Sequence, residues 1–212
     1  MYEYDKRAMI DAAMEMKHND LITLSGGNVS VRKENGDYIV TPSGMYYDNM
    51  MEDDLIVFDK NGVIIEGERR PSVDTIALQY IYDHMAEVMA IIHTHQVYAT
   101  AVGLIEDQLP VAVTTLSNVT LGAVNVAPYS NPGSIEMGIQ TVNYAKGKRA
   151  VILKHHGVVT IGGNLKEALY AAVYMETAAK TYLAAKAAGI PALMTDEQNQ
   201  DAVDVFMNYG QK

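Results

Sequence analysis

Cysteine is absent from the 212-residue chain, which excludes disulfides and thiolate metal ligands and leaves His, Asp and Glu to hold any metal. A hard or borderline divalent ion is the expectation that follows. Long apolar runs are missing too. No stretch of about eighteen consecutive apolar residues occurs, and Met1-Tyr2-Glu3-Tyr4-Asp5 lacks the basic start and apolar core of a signal peptide. Neither export nor membrane association is expected, and a cytoplasmic protein is. Positive charge is scarce: Lys and Arg number 16 against 26 Asp and Glu, a net charge of -10. This argues against nucleic acid as a partner, because phosphate-backbone binding needs clustered Lys and Arg. It leaves a small phosphorylated ligand open, since backbone N–H groups and hydroxyls hold one phosphate without a basic surface. Repeats, low-complexity segments and shifts of composition are also lacking, so residues 1–212 read as one domain.

What is present reads as helices around a sheet. Tyr4 to Lys17 carries Met9, Ile10, Ala13, Met14 and Met16 near helical period, an amphipathic helix. Leu21-Ile22-Thr23-Leu24 and Val29-Ser30-Val31-Arg32 read as strands joined by the polar turn Ser25-Gly26-Gly27-Asn28. Asn35-Gly36 and Pro42-Ser43-Gly44 mark turns around the strand Asp37 to Thr41, and Lys60-Asn61-Gly62 joins the hairpin of Leu55–Phe58 and Val63–Ile65. A helix opens at Pro71-Ser72-Val73-Asp74 with Ser72 as N-cap and runs to about His84. Val88 to Ile92 is a buried strand, and a short helix starts near Val97. Val111 to Val126, rich in Val and Thr, predicts two more strands, and Ser134 to Ala145 a helix. Ala150 to Lys154 is a buried strand that Val158 to Ile161 continues. Leu165 to Ala188 is a long helix stopped by Gly189 and Pro191, and Asp196 to Asn208 a last one. Strands that come mostly as hairpins predict a mainly antiparallel central sheet layered between helices, a three-layer α/β fold.

The chemistry-bearing residues sit at the ends of these strands. His93-Thr94-His95 ends an apolar run, and on a strand this spacing puts both imidazoles on one face. The pair is half of a metal site or simply two polar residues at a strand end. Four of the six histidines lie in this stretch and in His155-His156. A third imidazole from the second strand would complete a three-ligand site with open positions, as a catalytic metal requires; alternatively, His155 and His156 only punctuate the strand before Gly157. Asp74 is a further ligand, a base, or a charge complementing its helix dipole. The turns at Ser25–Asn28, Ser43-Gly44 and Ser72 are ordinary loops or, together, an oxyanion cradle of close-approaching backbone, hydroxyls and an amide. Most of the 14 tyrosines are scaffold, and the methionines of the helices are core packing.

In this order, the stretches Ser25-Gly26-Gly27-Asn28-Val29-Ser30-Val31-Arg32, Thr41-Pro42-Ser43-Gly44, Pro71-Ser72-Val73-Asp74, Ile92-His93-Thr94-His95 and His155-His156-Gly157 resemble the class II aldolase and ribulose-phosphate epimerase family. The resemblance implies a divalent metal, usually zinc with manganese or cobalt as substitutes, held by His93, His95 and His156 with Asp74 alongside. It implies a phosphorylated ketose substrate whose phosphate meets Asn28, Ser43, Gly44 and Ser72, and a homotetramer with active sites between subunits. Two activities run on this scaffold: cleavage of a ketose 1-phosphate such as L-fuculose 1-phosphate to dihydroxyacetone phosphate and an aldehyde such as L-lactaldehyde, and 4-epimerisation of L-ribulose 5-phosphate. Some relatives of the fold are interaction modules, which would not be expected to keep the three histidines.

The chain departs from both enzyme patterns. Asp74 and Val73 stand where the aldolases resembled have Glu and Ser, which leans toward the epimerase. Asn118 stands where the epimerase has an acid-base Asp, and an amide exchanges no proton at neutral pH. Thr114 aligns with an aldolase tyrosine supplied by a neighbouring subunit, whereas Tyr209 matches a C-terminal tyrosine of both subgroups and is a candidate proton donor. The lost Asp is the heavier defect, because epimerisation needs a proton-handling group on each face of the aldehyde. The resemblance therefore points to the aldolase, with Asp74 and Tyr209 as its catalytic pair and the epimerase as the alternative.

Overall fold

The computed structural model describes residues 1–207; Tyr209 lies outside the described residues. One helix, α1 (Glu3–His18), precedes a run of strands: β1 (Asn28–Arg32), β2 (Tyr38–Val40), β3 (Ile56–Phe58) and β4 (Ile64–Glu66). Then follow α2 (Thr75–His84), β5 (Ala90–Thr94), α3 (Val97–Ile105), β6 (Gln108–Leu109), α4 (Thr114–Thr120), β7 (Val124–Ala127), α5 (Ile135–Ala145), β8 (Ala150–Leu153), β9 (Gly157–Gly162), α6 (Leu165–Ala188) and α7 (Asp196–Met207). Among the described residues these make seven helices around one nine-stranded sheet of order β4-β3-β2-β1-β5-β9-β8-β7-β6. Every pairing is antiparallel except β7 with β8, so the expected mainly antiparallel sheet between helical layers is what the chain builds.

The alternation of apolar side chains along the central strands assigns the layers. Ile91, Val151, Leu153, Val159 and Ile161 pack against Ala77, Leu78 and Ile81 of α2 and Met137 and Ala145 of α5. Their neighbours in sequence point the other way. Ala90 and Ile92 meet Met9, Ala13 and Met16 of α1 and Ala168 and Ala172 of α6, while Ile152 and Val158 meet Ala99 and Val102 of α3, Leu116 of α4 and Met175 of α6. Strands buried on both faces are thus near-continuously apolar, as β5, β8 and β9 are.

Four local expectations need correction. Leu21 to Leu24 forms no strand: Leu21 and Ile22 are buried in the α1 cluster, but Asp20 and Leu24 both take φ 57, which folds the segment into an irregular linker. Thr114 to Thr120 is α4, not a strand, because Leu116, Val119 and Thr120 are buried at helical spacing and packing outranks the β preference of Val and Thr. The helix after Pro71 begins at Thr75 with Asp74 as its N-cap, and Ser72 instead closes the preceding turn, its C=O accepting from Thr75 N at 3.1 Å. Val158 does not continue the preceding strand but returns beside it, Leu153 pairing with Gly157 in register. His155 takes φ 61 at the third position of that turn, which His156 N–H closes on Leu153 C=O at 3.0 Å. This reversal carries His156 to the end of β5.

Candidate metal centre and active site

β5 pairs with β1 on one side and β9 on the other, so the C-terminal end of β5, the first residue of β1 and the β8–β9 turn meet at one end of the central strands. Asn28 lies opposite His93 in the β1–β5 register. Two glycines let the chain close in there. A Cβ at Gly27, already at φ 78, would sit 2.4 Å from His93 O, and a Cβ at Gly157 would sit 2.2 Å from Thr94 O. The Ser-Gly-Gly-Asn turn and the His-His-Gly turn therefore clamp the histidine strand from both sides through their lack of side chains.

His93, His95 and His156 converge. Their ring centroids lie 4.8, 4.7 and 5.2 Å apart pairwise, and one ligand nitrogen from each falls within 4.8 Å of the others. His93 Nδ1 faces the carbonyl oxygen of Val158 at 2.9 Å; a carbonyl only accepts, so Nδ1 carries the proton and Nε2 a lone pair. That lone pair points at His95 Nε2, 3.0 Å away. His156 Nδ1 is buried and lacks a hydrogen-bond partner among the described residues. Burial pulls the His93 imidazole down to about 4 against the opposing pull of Asp74, and the rings of His156 and His95 add to the fall. Burial also lowers His95 and His156. Three neutral imidazoles with ring nitrogens turned toward one another, one tautomer set by a backbone carbonyl, fit a divalent cation.

Asp74 stands beside them, buried at the start of α2, with Oδ2 4.0 Å from His93 Nε2. Both of its oxygens are held. Asn28 Nδ2 donates to Oδ2 at 2.8 Å and Gly133 N–H donates to Oδ1 at 3.0 Å. Gly133 was not foreseen, although the Asn131-Pro132-Gly133 sequence before α5 is a strong turn signal, and its φ of 70 presents the N–H. The Val158 carbonyl is the other unforeseen group, invisible to any reading of side chains.

The Ser43 and Ser72 segments lie side by side. Thr41 O accepts from Ser72 N at 3.1 Å, and Arg70 O accepts from Ser43 N at 2.9 Å. Ser72 Oγ accepts from Asp74 N at 3.3 Å. Ser43 and Gly44 are exposed, and Gly44 sits at φ 69 with open space around it. Two of the three small-polar turns thus join each other, and the third joins them through Asn28 and Asp74.

The family described as "Class II Aldolase and Adducin N-terminal domain" matches residues 7–183. The chain belongs to this family. The L-fuculose phosphate aldolase of Escherichia coli K12 is 30% identical over 205 residues, covering 96% of this chain and 94% of that protein. The 5-deoxy-D-ribulose 1-phosphate aldolase of Bacillus thuringiensis is 28% identical over the full length of both. Among solved structures, an L-fuculose 1-phosphate aldolase superposes with a TM-score of 0.90 at 32% identity, over 95% of each chain. Class II aldolases are metal-dependent, and in this member the His93, His95 and His156 group could hold the ion.

Some of the residues singled out lie away from the triad within one chain. Thr114 and Asn118 lie on α4, which packs on the opposite face of the sheet from α2 and Asp74. With its amide turned to face acceptors, Asn118 Nδ2 donates to Thr114 O at 3.0 Å and to Ala202 O of α7 at 2.9 Å. His155 points away from the triad toward Tyr129, with ring centroids 6.5 Å apart. No helix among the described residues is long and apolar enough to cross a membrane.

Proposed function

We propose that the chain is an aldolase that cleaves L-fuculose 1-phosphate, or a closely related ketose 1-phosphate, to dihydroxyacetone phosphate and an aldehyde, L-lactaldehyde for the former. The observation that carries this reading is the convergence of three neutral imidazoles beside a carboxylate whose two oxygens are both oriented by donors. The Bacillus relative's substrate extends the same chemistry. Cleavage between C3 and C4 of 5-deoxy-D-ribulose 1-phosphate gives dihydroxyacetone phosphate and acetaldehyde.

In this reading His93, His95 and His156 hold one zinc ion, with manganese or cobalt as substitutes. When bound, the ion supplies Lewis-acid polarisation of the substrate carbonyl and stabilises the negative charge that develops as the carbon–carbon bond breaks. The chain's own groups do the rest. Asn28, Ser43, Gly44 and Ser72 hold the phosphate and so fix the C3–C4 bond over the histidines. Asp74 Oδ2, next to His93, takes and returns the proton moved in cleavage, while Asn28 Nδ2 and Gly133 N–H keep the carboxylate aimed. Tyr209 is assigned to donate a hydrogen bond to the C4 oxygen as it becomes the aldehyde carbonyl, so that the one proton released from the C4 hydroxyl passes through Asp74 to C3. We assign the working form to a homotetramer with its sites between subunits, located in the cytoplasm.

The test is to incubate the purified protein with L-fuculose 1-phosphate, 5-deoxy-D-ribulose 1-phosphate and L-ribulose 5-phosphate, following dihydroxyacetone phosphate release and xylulose 5-phosphate formation. Release from either 1-phosphate supports the aldolase. Conversion of L-ribulose 5-phosphate alone overturns it in favour of the epimerase.

A further inference from the structure

The three imidazoles are not equally supported. His93 is fixed by Val158 O and His156 by a closed four-residue turn. His95 opens to the surface, and its ring lies among the His93 and His156 rings and the glycines Gly26 and Gly157, where an added Cβ would lie 3.1 Å from His95 Nδ1 and Cδ2 respectively. No backbone carbonyl among the described residues holds a ring nitrogen of His95 as Val158 holds His93. What holds it must act through the main chain. Alternation along the strand end sends Thr94 and Gln96, the residues flanking His95, to the opposite face, and both are fully buried. There Thr94 Oγ1 donates to Gln96 Oε1 at 2.6 Å, and Gln96 Nε2 donates to Ala172 O of α6 at 3.3 Å. One turn further along α6, Glu176 accepts from Tyr98 N at 2.8 Å through Oε1 and from Ala99 N at 2.9 Å through Oε2. These are free N–H groups at the start of α3, where a carboxylate also complements the helix dipole.

We infer that Gln96 and Glu176 are positioning residues that pin the backbone on both sides of the His95–α3 junction to helix α6, and that metal affinity depends on them although neither touches the metal site. The inference rests on the metal reading of the three histidines. Groups that orient metal ligands from behind typically contribute 10- to 100-fold in affinity, and an effect transmitted through the main chain belongs at the lower end, about tenfold.

The experiment titrates metal-free full-length protein with cobalt(II), reading the visible absorption band and the dissociation constant, at a temperature where every variant is folded by circular dichroism. Gln96→Leu and Glu176→Ala are expected to weaken cobalt binding about tenfold and to shift the band, with Glu176→Gln, which keeps one acceptor, restoring part of the loss. Thr141→Val serves as the control: it removes a buried hydrogen bond to Met137 O on α5 and lowers the melting temperature without changing cobalt affinity. Glu176 is half-buried, so its variants keep the question answerable should Gln96→Leu not fold. Parent-like cobalt binding in folded Glu176→Ala, within twofold, overturns the positioning role alone. A parent protein that binds no cobalt overturns the metal reading and this inference with it.

Discussion

The end of β5 and the contact of α4 with α7 both present polar side chains in a fold that is otherwise densely apolar, and they differ in what those side chains have left to give. At α4, Asn118 spends its amide hydrogens on the carbonyls of Thr114 and Ala202; it stitches one helix to another. At β5, the histidines turn ring nitrogens toward one another, His156 Nδ1 has no hydrogen-bond partner among the described residues, and Asp74 is held by two donors that orient it. Polar residue type is the same signal in both places. Uncommitted lone pairs, concentrated at one point, are what distinguish a reactive site from a structural bond.

Substitutions can break or sharpen that contrast. The largest effect is expected at the triad: His156→Ala should abolish stoichiometric metal binding by elemental analysis and reduce dihydroxyacetone phosphate release at least 10³-fold, on the order of what a lost essential group costs. Asp74→Asn comes next, with kcat falling about 10²- to 10⁴-fold while metal content stays at the parent level, a separation visible by pairing kinetics with metal analysis. Ser43→Ala should act on KM and leave kcat nearly unchanged, by roughly tenfold if the lost bond is to a charged phosphate.

The pH dependence of the metal-free protein follows from the lowered His93. Its ordinary value of 6.5 falls to about 4 in the folded chain, so above pH 6.5 both states are neutral and stability is unaffected. As pH falls from 6.5 toward 4 the unfolded chain takes up a proton that the folded chain refuses, and stability drops by up to about 3 kcal/mol, at about 1.4 kcal/mol per unit. Denaturant midpoints measured across that window check it; a flat profile would contradict the burial that lowers the His93 imidazole. The smallest effect on chemistry is expected across the sheet. Asn118→Ala should cost about 1–2 kcal/mol of stability through its two hydrogen bonds and leave the turnover per folded chain within twofold.

The pairing of His93 with His95 on one face was legible from their period-two spacing, whereas the spacing left the part of His155 and His156 open, and His156 was singled out by the family resemblance. The long helix Leu165–Ala188 was legible from its alanines and its Gly-Pro stop, as was the α1 helix from its methionine spacing. The misread stretches share one cause. Leu21–Leu24 and Thr114–Thr120 are short, and in short apolar or β-branched runs the tertiary neighbours decide the conformation. Thr120 shows how: its Oγ1 bonds back to Leu116 O within the helix at 2.7 Å, a local solution that β propensity does not anticipate. The reversal at His155 was hidden because a left-handed histidine carries no sequence mark, unlike the left-handed glycines at Gly36 and Gly62 that announced their hairpins. Gly133 and the Val158 carbonyl act through the main chain, where residue identity says least.

The account stands on metal-dependent cleavage at the end of β5. Release of dihydroxyacetone phosphate from L-fuculose 1-phosphate should therefore be followed as divalent ions are stripped by a chelator and then titrated back as zinc. The predicted result is loss of turnover on stripping and full recovery at one ion per chain. A rate unchanged in the stripped protein would contradict it.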